Sequence, residues 1–154
     1  AMGSEQPAQT CAPSTGDKVT AADYPIADKR PDLIKTATGK NFTDLSYEKV
    51  INGELKPEDL RIRPETLELQ AEVAESVQRG AFAGNLRRAA ELIAVPDARL
   101  LEIYNALRPY KSTKEEYEAI AVELETQYNA PISAGLVREA AAIGYKRKRT
   151  KEFK

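Results

Sequence analysis

The stretch Ser112-Thr113-Lys114-Glu115-Glu116-Tyr117-Glu118-Ala119-Ile120-Ala121-Val122-Glu123-Leu124-Glu125-Thr126-Gln127-Tyr128 decides the fold class. Tyr117, Ile120, Ala121, Leu124 and Tyr128 recur every three or four residues, which puts them on one face of an α-helix. Glu116, Glu118, Glu123 and Glu125 are then left to face water. Ser112-x-x-Glu115 has the form of a capping box, in which hydroxyl and carboxylate satisfy reciprocal backbone donors, so the helix is expected to start there. Asn129 to Pro131 make a turn, and Ile132, Leu136, Val137, Ala140 and Ile143 propose a further helix beyond it.

Upstream the same period persists. Pro96-Asp97 suits a helix start, and Leu100, Ile103, Tyr104 and Leu107 share a side before Pro109 stops the run. Phe82, Leu86, Ala89, Ala90 and Ile93 predict a helix that ends before Pro96, with Arg87, Arg88 and Glu91 on a solvated face. A further helix is predicted over residues 64–79, opened by Pro64 and Glu65, closed by Gly80 and burying Leu67, Ala71, Ala74 and Val77 or Gln78. Leu69 and Val73 offer a second apolar edge. No strand-like alternation competes, so the class is all-α: a compact helical bundle of about five helices over residues 64–150.

Residues 21–63 read differently. Pro25, Pro31, Pro57, Gly39 and Gly53 break every apolar run, which predicts an irregular N-terminal arm. Within it Ser46 is placed to cap a short helix over residues 47–51, Gly53 to stop it in a left-handed conformation, and residues 57–60 to form a single turn. Ala1-Met2-Gly3-Ser4 has the look of a cleaved tag, and the remainder up to residue 20 that of a disordered polar tail without a secretory signal. Residues 151–154 close the chain as a basic tail.

Composition bounds the function. The 154 residues suit one domain with one core, and no apolar run approaches the roughly 20 residues of a membrane span, so a soluble chain is expected. Histidine is absent, which removes the usual general base and the commonest metal ligand. The single Cys11 excludes an internal disulfide and a thiolate cluster. Pairs such as Glu115 with Glu118 or Asp97 with Glu102 are explained by capping and solvation, and no phosphate loop or calcium loop is present. Residues 146–154 hold six of the 23 basic residues and one of the 24 acidic ones, leaving the rest at net −6. That tail reads as a solvated helix end; a helical protein that binds nucleic acid through it is the alternative. Two apolar helix edges and a long arm poor in core residues point to another protein as partner.

A resemblance sharpens this reading. Residues 85–97, Asn85-Leu86-Arg87-Arg88-Ala89-Ala90-Glu91-Leu92-Ile93-Ala94-Val95-Pro96-Asp97, closely resemble the small subunit of diol and glycerol dehydratases. So do Leu101-Glu102-Ile103-Tyr104-Asn105-Ala106-Leu107-Arg108-Pro109-Tyr110, Arg61-Ile62-Arg63-Pro64-Glu65-Thr66-Leu67, Asp23-Tyr24-Pro25 and Lys35-Thr36-Ala37-Thr38. The likeness spans about residues 21 to 148. It departs near the C-terminus, where Ile143-Gly144 replaces a Leu-Tyr pair, and before residue 20, where the diol-dehydratase branch often has an amphipathic extension tied to encapsulation and this sequence reads only a polar segment, as a trimmed N-terminus or the glycerol type would. The resemblance implies a dimer of heterotrimers with large (alpha) and medium (beta) subunits that hold adenosylcobalamin between them. It implies a radical dehydration of propane-1,2-diol or glycerol to an aldehyde and water, carried by the cofactor and the large subunit. The implied location is the bacterial cytoplasm, with a propanediol-utilisation microcompartment left open. No catalytic residue, cofactor ligand or metal ligand is assigned to this chain. Its expected role is structural, with Tyr24, Pro25, Lys35 and Thr36 of the arm wrapping the large subunit. Arg61, Arg63, Asn105 and Arg108 are candidate polar interface contacts, intrachain capping being the alternative.

Overall fold

A computed structural model describes residues 18–154; Cys11 and the expected tag and polar tail lie outside the described residues. Among the described residues the chain is all-α, with seven α-helices, short 3-10 turns and no strand beyond one isolated bridge, Lys35 with Asn41. The helices are α1 (Ile26–Lys29), α2 (Tyr47–Ile51), α3 (Pro64–Ser76), α4 (Gly80–Leu92), α5 (Asp97–Ala106), α6 (Lys114–Tyr128) and α7 (Pro131–Lys146). The five long ones are those that periodicity predicts. The chain divides into two compact units, Ala1–Ala83 and Gly84–Lys154, with the boundary inside α4.

In the first unit, polar bonds do much of the work of a core. Val19 donates its backbone N–H to Glu72 of α3 at 3.1 Å and Ala21 donates to Ser76 at 2.8 Å, fastening the entering chain to that helix. Ile26, Leu55, Ala71 and Ala74 are buried, as are Asp23, Thr36 and Asp59. The Asp59 carboxylate gathers the arm: it accepts from Lys40 Nζ at 2.8 Å, from the Lys56 backbone N–H at 2.8 Å and from the Thr38 hydroxyl. The turn that presents Thr38 closes through Gly39, whose φ of +86° suits glycine, with Gly39 N–H donating to the Thr36 carbonyl. Ser46 caps α2 and Gly53 takes a φ of +75°, as the sequence leads one to expect. α3 ends earlier than predicted. Gln78, not Gly80, turns left-handed with a φ of +61°, and Gly80 opens α4 instead.

The second unit is built on α6 and α7, the most extensively packed pair of helices. Tyr117, Ile120, Ala121 and Leu124 of α6 are buried, the predicted face. Asn129 at a φ of +50° ends α6, the Ala130 N–H returns to the Leu124 carbonyl, and Pro131 starts α7. Val95, Ile103, Ala130, Ala134, Val137 and Ala141 complete the core. Two expectations need correction here. The capping box sits one residue later: Glu116 N–H donates to the Thr113 hydroxyl and Thr113 N–H to the Glu116 carboxylate, while Ser112 is buried and donates to the Ala106 carbonyl at 2.8 Å. Glu118, Glu123 and Glu125 do not simply face water. Arg138 of α7 donates to Glu125 at 2.6 and 2.8 Å and to Glu118 at 2.8 Å; Arg99 of α5 grips Glu123 at 2.8 and 2.5 Å and Glu102 at 2.7 Å. These bidentate pairs hold both glutamates, Glu123 and Glu125, below their ordinary pKa, because the facing guanidinium donates to the charged form.

Glu91 likewise leaves the solvated face assigned to it. α7 starts after Ala130, which has no side-chain acceptor, and the Glu91 carboxylate takes over the cap. It accepts from the backbone N–H groups of Ile132 at 2.9 Å and Ser133 at 2.7 Å and from the Ser133 hydroxyl at 2.7 Å. A carboxylate there satisfies free donors and meets the positive end of the helix dipole. Removing it leaves those donors without that acceptor, so Glu91→Ala is expected to lower unfolding stability by about 1–3 kcal/mol, and Glu91→Gln by less. Urea midpoints at neutral pH measure this, and an unchanged midpoint for Glu91→Ala would reject the cap.

The Asp59 knot predicts an acid response. Lys40 first, then the Lys56 N–H and the Thr38 hydroxyl, hold the Asp59 carboxyl well below the usual carboxylate range. A depressed folded-state pKa adds stability that is present above the unfolded value near ~4 and is lost as pH falls toward the folded value. The drop in urea midpoint between pH 7 and pH 3 should therefore be smaller in Asp59→Asn than in the parent; equal drops would show that this carboxylate contributes none of it.

Candidate subunit interface

The arm residues singled out from the sequence occupy different settings within the first unit. Tyr24 is 64% exposed and Pro25 follows it through a cis peptide. Both border an apolar groove of about 600 Å³, with Ile34, Val73, Val77 and Phe82 along its other walls. Val73, read as part of a second edge of α3, thus lines a surface hollow. Phe82 and Val77, predicted for the core, are about half exposed at the rim.

Lys35 lies on the bridged segment and points to solvent, whereas Thr36 is buried. The Thr36 hydroxyl accepts from the Lys40 N–H at 3.0 Å and lies 3.0 Å from the Thr38 hydroxyl, so it shapes the turn from within. Arg61 is exposed, and its backbone carbonyl accepts from Ala37. Arg63 forms a bidentate pair with Glu65, both bonds 3.0 Å, at the start of α3. Glu65 is held below its ordinary pKa by its own backbone N–H and then by Arg63.

Asn105 and Arg108 belong to the second unit and come together on a groove of about 550 Å³ floored by Ala106, Ala119 and Ile120. Arg99 and Glu123 close one side as an ion pair, and Lys111 stands on the other. Leu101 and Tyr104 precede them on α5, 64% and 69% exposed. Tyr104 was expected in the core, yet Ile103 is the residue of α5 that is buried. Periodicity supplied both, since adjacent apolar positions satisfy the same helical spacing.

Among the described residues no group of three or more His, Cys, Asp and Glu side chains stands ready for a metal ion. Glu118 and Glu102, members of the two conceivable acid-base pairs, are instead bound to Arg138 and Arg99. No described helix is long and apolar enough to cross a membrane.

Comparison with known proteins points to a subunit of a larger enzyme. The dehydratase small-subunit family matches residues 19–151. The propanediol dehydratase small subunit of Citrobacter freundii is 50% identical over 147 residues, covering 96% of this chain and 86% of that protein. Its counterpart from Salmonella typhimurium is 50% identical over 150 residues, covering 97% and 87%. These matches leave the nucleic-acid-binding alternative without support. With a match that runs from Val19 through Lys151 and two relatives at 50% identity, the chain belongs to the family of dehydratase small subunits.

Proposed function

We propose that this chain is the small subunit of an adenosylcobalamin-dependent dehydratase acting on propane-1,2-diol or glycerol, and that it supports assembly and stability rather than chemistry. The observation that carries this reading is the near full-length match to small subunits, on a chain with no histidine. The partners are the large and medium subunits, two of each with two copies of this chain, in the bacterial cytoplasm or a microcompartment within it.

Among the described residues, these two grooves do not suit a cobalamin. Its corrin needs a broad enclosed face and commonly a nitrogen ligand, whereas the two grooves are open and the one in the second unit is edged by arginine and glutamate already bound to each other. This favours the partner subunits as the place of the cofactor. The candidate contacts keep distinct roles. Tyr24, Pro25, Lys35, Arg61, Asn105 and Arg108 are outward and meet the large subunit; Thr36 sets the turn that presents Lys35, and Arg63 orders the start of α3 through Glu65.

Reconstitution tests the reading: the chain is mixed with cognate large and medium subunits, adenosylcobalamin and propane-1,2-diol, and both complex mass and aldehyde formation are followed. The chain alone should be inert, and its omission should cost the stable active complex. Full assembly and turnover without it would overturn the proposed role.

A further inference from the structure

We infer that the loop of residues 108–112 and the C-terminal turn form one basic docking platform for an acidic patch on a larger dehydratase subunit; this rests on the reading above. The two segments are about 38 residues apart in sequence, and two backbone hydrogen bonds join them: Tyr110 N–H donates to the Arg149 carbonyl at 2.7 Å and Lys151 N–H to the Ser112 carbonyl at 2.9 Å. Ser112 and Thr150 are buried at the seam. Tyr110 and Lys148 are left-handed, with φ of +62° and +53°. Such backbone in non-glycine residues costs on the order of 1 kcal/mol each and persists where surrounding bonds impose it.

The outcome is local charge without compensation. Arg108, Lys111, Arg147, Lys148 and Arg149 are exposed, and among the described residues none has an ion-pair partner. Two carboxylates of the adjoining groove and one of the C-terminal turn already have partners. Glu116 serves the Thr113 N–H and Lys151, Glu152 accepts from Lys114 N–H at 3.0 Å, and Glu123 is held by Arg99. Beside the platform, Leu101 and Tyr104 lead along α5 to Asn105 and Arg108, and the groove behind them has an apolar floor. Exposed tyrosine and arginine next to an apolar hollow suit a protein partner. A long polyanion suits the molecule less well, because the chain outside residues 146–154 is net −6 and repels it.

The platform predicts electrostatically steered assembly. In the full chain, Arg108→Glu/Lys148→Glu should slow association with the complex of large and medium subunits about tenfold at low salt and flatten the fall of the rate with added salt. Arg108→Gln/Lys148→Asn, whose asparagine tolerates the left-handed backbone, should slow it by about threefold. Lys49→Glu/Lys56→Glu, an equal charge change in the first unit, should leave the rate within about twofold of the parent. Parental rates and salt slopes in both platform variants would overturn the platform while leaving the functional reading intact. Failure of the parent chain itself to bind those subunits would overturn that reading, and the platform with it. Tight platform-dependent binding of a DNA oligonucleotide at physiological salt, with subunit association unaffected by the variants, would reject a protein occupant.

Discussion

Close approach of α6 to α7 is the constraint from which the second unit follows. Two helices joined by only two residues must pack antiparallel, and the chain can reverse so sharply because Asn129 accepts the left-handed conformation. Ala121, Ala130 and Ala134 are fully buried and Ala141 nearly so, and side chains this small let the backbones approach. Leu124 then fills what space remains. The tight reversal leaves the start of α7 without a cap of its own, which is why Glu91 supplies one from α4. It also sets Arg138 within reach of Glu118 and Glu125.

A core made from small residues displaces the large ones. On α7 the buried positions are Ser133, Ala134, Val137 and Ala141, while Ile132, Leu136 and Ile143 are each close to half exposed. The same inversion occurs where Ala83 is buried and Phe82 is out, and where Ala71 and Ala74 are buried and Val77 is out. Such a chain forms its helices by packing small faces and keeps apolar area for contacts outside itself. For a subunit this has a thermodynamic consequence: a partner that binds only the folded form stabilises it by mass action, so within a complex the chain can persist on a modest core.

This inversion also explains what could be read in advance. α6 was legible because its large apolar residues and Ala121 share one face, so periodicity had one answer; Ser46 and Gly53 were legible because capping and left-handed backbone are local chemistry. α4 and α7 were legible as helices but not in orientation. Both carry two apolar faces, one large and one small, and spacing alone cannot say which turns inward. Glu91 was unreadable for a different reason, since its donors lie 41 and 42 residues away. Asn105 and Arg108, interface candidates taken from family likeness, line one groove. The pairing of residues 110–112 with 149–151 left no trace in composition, and the basic tail therefore read as a free helix end.

Two groups stand out among the arginines of the second unit. Arg99 and Arg138 each engage two glutamates, and their planar forks tie α5 and α7 to α6. Arg108, Arg147 and Arg149 contribute no ion pair to the unit, yet the segments that carry them are fixed by backbone bonds rather than left loose. Holding unpaired like charges together works against folding. A fold that holds such a cluster with two left-handed residues suits the platform proposed above, on which a partner's acidic patch supplies the compensating charge.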